Sequence, residues 1–70
     1  MPKLPGIHHL EAIRAFEKAG FWVSRQGKHT IMYNGLITLI IPRHNPIDAM
    51  TMGGLIKAAG YKVEDFRRFL

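Results

Sequence analysis

KHTIMYNGLITLII, residues 28–41, is the stretch that decides the fold. Two runs rich in β-branched and aromatic residues flank Asn34-Gly35, a dipeptide suited to a two-residue turn whose central positions both need positive φ. The reading is an antiparallel hairpin, Lys28 to Tyr33 against Leu36 to Ile41, with Pro42 stopping the second strand. A two-residue loop pairs Tyr33 with Leu36, Met32 with Ile37, Ile31 with Thr38, Thr30 with Leu39, His29 with Ile40 and Lys28 with Ile41. Strand alternation then sorts the side chains. Met32, Ile37, Leu39 and Ile41 make one face, a good core set. His29, Ile31, Tyr33, Leu36, Thr38 and Ile40 make a mixed face, open or covered by a partner.

Upstream, Phe21 to Gln26 alternates aromatic or β-branched residues with polar ones and reads as a third strand, with Gly27 turning the chain into Lys28. Before it, Leu10, Ile13 and Phe16, with Ala12, Ala15 and Ala19 filling gaps, fall at the spacing of one apolar stripe on a helix from about His9 to Ala19. Gly20 stands where helices end in a left-handed residue. Downstream of Pro42, Asn45 and Pro46, Thr51 can cap a helix bearing Met52, Leu55, Ile56 and Ala59, closed by Gly60. Gly53 and Gly54 each cost about 1 kcal/mol against alanine there, which suggests close approach to another element. Val63 to Leu70, acidic early and basic late, reads as a short final helix.

The order is helix, three strands, helix, helix. This is an α+β chain with a three-stranded antiparallel meander and its helices on one face, α-β-β-β-α plus a short extra C-terminal helix, the outline of a double-stranded-RNA-binding-domain-like fold. Such scaffolds carry binders and enzymes alike, so function has to come from the site.

Seventy residues, 1–70, make one small domain, which buries only about 60% of the surface its unfolded chain exposes. With 47% apolar residues the chain is too hydrophobic for a disordered tail, and with no cysteine it has no disulfide or thiolate zinc staple. The longest apolar run, Leu39-Ile40-Ile41, is far too short to span a bilayer, and Met1 to Gly6 lacks the apolar core of a signal peptide, so the expected compartment is the cytoplasm.

Net charge is +5, and it is unevenly spread. Between Glu17 and Asp48 there is no acidic residue, yet the stretch holds Lys18, Arg25, Lys28 and Arg43 with His29 and His44. That asymmetry favours a polyanion. An acidic protein partner fits the same profile.

His29 is the candidate for chemistry, because an imidazole can exchange a proton with a reacting oxygen near neutral pH. RNA carries its own nucleophile: a base that deprotonates the 2′-hydroxyl lets it attack the adjacent phosphate without a metal, while nearby cations stabilise the added charge. Lys28, beside His29 on the strand, points to the opposite face and would have to reach round the strand end, so Arg25 or Arg43 serves better, and all three are candidate phosphate contacts. His44 is a secondary one, a loop histidine after Arg43. The bland alternative for His29 is an idle surface histidine. His8-His9 does not make a metal site, since neighbouring residues seldom face one ion; helix capping or solvent exposure accounts for them. Gly53-Gly54 lacks the spacing and lysine of a phosphate loop, so nucleotide binding gets no support. Trp22 and Tyr33 suit base stacking or packing, with packing or an interface favoured for Trp22.

Several segments in order resemble the HicA toxin family: Glu11 to Phe21 with Ala19-Gly20-Phe21, Arg25-Gln26-Gly27 leading into a turn, Ile41-Pro42-Arg43-His44, then Thr51, Leu55, Ile56, Ala59-Gly60 and Phe66. The family's Gly-Ser-His turn matches Gly27 and His29, with Lys28 in place of the serine. His8 and Lys62 stand where the family has helix-capping serine or threonine. The resemblance implies a toxin that cleaves messenger RNA without metal or cofactor, His29 acting as general acid or base. It also implies a HicB-like antitoxin bound over the active face. Two rivals stand beside it: a non-catalytic RNA-binding module on the same fold, and an antitoxin-binding subunit inactivated by Lys28.

Overall fold

The computed structural model describes residues 6–43 and 46–70. Helix α1 spans His9–Lys18, strands β1, β2 and β3 span Trp22–Gln26, Thr30–Tyr33 and Thr38–Ile41, α2 spans Ala49–Ala58 and α3 Val63–Phe66, followed by a 3-10 turn, Arg67–Phe69. The strands form an antiparallel sheet in the order β1-β2-β3, the expected meander.

Both long helices close in the same way. Gly20, at φ 103°, and Gly60, at φ 90°, take the left-handed position. Phe21 N–H donates back to the Phe16 carbonyl at 2.9 Å and Tyr61 N–H to the Ile56 carbonyl at 3.1 Å. This satisfies carbonyls that the helix end would otherwise strand. The two endings are tied together, for the Tyr61 hydroxyl donates to the Ala19 carbonyl at 3.2 Å. At the other ends, His8 caps α1 by accepting the Leu10 N–H at Nδ1, 3.2 Å away. Lys62, ahead of α3, makes no side-chain cap.

Helix α2 starts earlier than Thr51. Its cap is Asp48, whose Oδ1 accepts the Thr51 N–H at 3.3 Å. Just ahead of it, Ile47 and Ile7 exchange two backbone hydrogen bonds, of 2.7 and 3.1 Å, an isolated bridge that holds the entries to α1 and α2 side by side. No periodic pattern advertises so short a pairing.

The core lies between the sheet and the helices. It contains Phe16, Ala12 and Ala15 from α1, Met32, Leu39 and Ile41 from the sheet, Met52 and Ile56 from α2, and Phe66 from α3. Leu10, expected inside, is half exposed at 52%: the inward line of α1 runs through its alanines instead, whose small side chains let the backbone lie close. Phe16 packs on Phe66 with ring centroids 4.7 Å apart. Each such buried aromatic contributes about 1.5–3 kcal/mol. Gly53 and Gly54 do not serve close packing, because a Cβ at either would meet nothing within 4 Å.

The hairpin keeps its faces but not its register. The ladder pairs Tyr33 with Thr38, Met32 with Leu39, Ile31 with Ile40 and Thr30 with Ile41, two residues further along β3 than a turn centred on Asn34-Gly35 requires. The cause is Asn34. Its side-chain oxygen accepts the N–H groups of Leu36, at 2.8 Å, and Ile37, at 2.6 Å, while its own N–H donates to the Ile37 carbonyl at 3.3 Å. Gly35, at φ 95°, thus becomes the first central residue of the turn and Leu36 the second, and no residue other than glycine needs positive φ. A slip of two preserves alternation, so Met32, Leu39 and Ile41 still face the helices.

Candidate active site

Strand β1 does not alternate evenly. Trp22 pairs with Tyr33 and Val23 with Met32, but Arg25 pairs with Ile31 and Gln26 with Thr30, so Ser24 is an extra residue, a β-bulge. Without it Arg25 would share the helix-facing side with Val23. With it, the guanidinium shares the open side with Ile31 and Ile40.

At the end of β1 the chain reverses through Gly27, Lys28 and His29, held by the Gly27 N–H donating to the His29 carbonyl at 3.1 Å. These three residues lie outside both strands. Alternation therefore does not govern them, and Lys28 need not reach round a strand end: it lines the same depression as His29. That depression, about 230 Å³, is bounded by Arg25, Gly27, Lys28, His29, Ile31 and Ile40. Its cationic rim sits on an apolar floor.

Arg25, Lys28 and His29 are exposed, and none of their side chains has a hydrogen-bond or ion-pair partner among the described residues. No carboxylate occurs anywhere from Trp22 to Arg43 to neutralise them. Arg43 does not line the depression. It is exposed two residues beyond Ile41, whose partner Thr30 adjoins His29, so it lies at the same end of the sheet. His44 falls outside the described residues. The sequence sets Arg25 and His29 near each other but carries no signal of the bulge that brings them to one side.

Elsewhere, the His8 and His9 rings stack at 4.8 Å, with His8 occupied as a cap, and no three His, Cys, Asp or Glu side chains cluster among the described residues. A second depression, about 240 Å³, mixes Glu11 with Arg14 and Lys18 beside Phe69 and Leu70, on the helical side of the molecule. Among the described residues, no helix is long and apolar enough to cross a membrane.

A family model described as the HicA toxin of bacterial toxin-antitoxin pairs matches residues 11–61, well over half of the chain and the whole of the sheet. No curated protein and no solved structure matches.

Proposed function

The chain belongs to the HicA toxin family, and from that premise we propose that it is a metal-independent endoribonuclease, the toxin of a toxin-antitoxin pair acting on messenger RNA in the cytoplasm, with the chain acting as one domain over residues 1–70. The observation that carries this reading is the single depression shared by Arg25, Lys28 and His29 on the side of the sheet away from the helices. A ribose phosphate set against it meets two cations and one imidazole, with no carboxylate on the meander to repel it.

In the proposed step His29 takes the proton of a ribose 2′-hydroxyl. The 2′-oxygen bonds to phosphorus as the bond from phosphorus to the 5′-oxygen breaks, and the proton is returned to that leaving oxygen. Arg25 and Lys28 neutralise the charge that builds on the non-bridging oxygens, where preorganised donors matter most. Arg43, at the same end of the sheet, and His44 are further contacts to the phosphate backbone. The products are a 2′,3′-cyclic phosphate and a 5′-hydroxyl. The groove's apolar floor, Ile31 and Ile40, suits a protein as well as RNA, which supports a HicB-like antitoxin covering the same face.

His29→Ala tests this directly. Loss of cleavage and of growth inhibition, with RNA binding retained, is the expected result, and the wild-type fragments should carry the cyclic ends. Unchanged cleavage in the variant would remove the mechanism. Binding by the wild type with no product at all would favour a binding module instead.

A further inference from the structure

Nothing in the cleavage step uses the other end of the open sheet face. There Trp22 stands opposite Tyr33 in the β1-β2 ladder, and the two rings meet edge to face, centroids 5.7 Å apart at 84°. Trp22 is 51% exposed although indole is among the costliest side chains to leave in water. Tyr33 braces it on one side. Gly35 lies close by, where a Cβ would come 3.8 Å from Trp22 Cη2. The indole is thus held in place with much of its surface uncovered.

This platform is continuous with the depression at His29. Tyr33 lies two residues along β2 from Ile31, which lines the depression, and four from His29, roughly 13 Å at strand rise. A single strand of RNA seated with one phosphate at Arg25 and Lys28 would pass over Ile31 and Ile40 and bring a neighbouring base to the indole within a few nucleotides. Resting on the ribonuclease reading above, we propose that Trp22, braced by Tyr33, is a base-stacking subsite that makes this groove select single-stranded RNA.

The choice of RNA over a protein at this platform follows from charge. All three strands and their connecting turns lack a carboxylate while carrying Arg25 and Lys28, so the surface offers a polyanion attraction at one end and a π-face at the other. Stacking is tolerant of base identity, which suits a groove with few side chains placed to read base edges. A duplex is a poor fit. Its bases are already stacked inside and out of reach of an indole.

Trp22 is the chain's single tryptophan, so its emission reports the subsite alone. The full chain carrying His29→Ala, which removes the proposed base, is titrated with a short oligoadenylate and, separately, with the same strand annealed to oligouridylate. Quenching of Trp22 by the single strand and not by the duplex is the expected result. Adding Trp22→Ala should weaken single-strand binding roughly five- to a hundredfold, and Trp22→Phe, which keeps an aromatic face and guards against misfolding, should restore most of it. Equal quenching by the duplex overturns the selectivity. Unquenched emission with unchanged affinity in Trp22→Ala overturns the subsite, and so does a Trp22→Ala effect confined to antitoxin binding. In those cases loss of cleavage in His29→Ala would still uphold the nuclease, whereas failure of any RNA to bind would sink both.

Discussion

Arg25 stands across the ladder from Ile31, although an unbroken strand would set it across from buried Thr30. One extra residue, Ser24, makes the difference, and with it the guanidinium joins the imidazole side of the sheet. Bulges of this kind commonly re-aim a side chain at a site.

Arg25→Ala should therefore weaken RNA binding about tenfold at low salt and reduce the salt dependence of binding by close to one phosphate's worth, a slope change of about 0.7 for a single strand. Thermal stability should barely move, since the side chain is exposed and has no partner among the described residues. Binding isotherms at several salt concentrations check this. An unaltered slope would show that the guanidinium touches no phosphate.

Lys28, which the family resemblance sets at a serine position, lines the same groove as His29. Lys28→Ser is expected to lower affinity several-fold through the lost charge while leaving the maximal cleavage rate within a few-fold. Lys28→Glu should abolish cleavage at physiological salt. Steady-state kinetics separates these effects. A gain of activity in Lys28→Ser would instead mark the lysine as the residue that silences this toxin.

Phe66 comes from a helix of four residues yet is fully buried and touches the rings of Phe16, Tyr61 and Phe69. Truncation to alanine costs about 3–5 kcal/mol by transfer and cavity terms. A chain of this length has a total stability of about 4–10 kcal/mol. Phe66→Ala should unfold in far less denaturant than the wild type and be partly unfolded at 37 °C, as urea titration followed by circular dichroism would show.

Gly54 offers the opposite change. It is exposed on α2, takes no positive φ, and a Cβ there would meet nothing. Gly54→Ala should raise stability by about 0.5–1 kcal/mol, a shift of several degrees in Tm for so small a chain, with RNA cleavage unaltered. A loss of stability would contradict the open surroundings of that helix face.

Much of this molecule is written locally. The two Ala-Gly-aromatic helix endings, the strand alternation and the acid-free basic stretch each act over a few residues, so the element order could be read from the chain. What escaped reading depends on partners distant in sequence or on competition between neighbours. Asn34 could have entered the turn itself, but its side chain outcompetes its backbone for the Leu36 and Ile37 amides, and the register moves by two. Ser24 has no sequence signature of a bulge. Ile7 and Ile47 meet across forty residues of sequence, a pairing that no local pattern announces.

The hydrogen bond from Tyr61 to the Ala19 carbonyl has a consequence for the order in which the chain can fold. It anchors the point from which the strand bearing Trp22 and Arg25 departs, and its donor lies 42 residues further along the chain. A nascent chain that has delivered the whole sheet still lacks that anchor and the Phe66 ring beneath it. The start of β1 therefore reaches its final place only after Tyr61 and the third helix have docked against it.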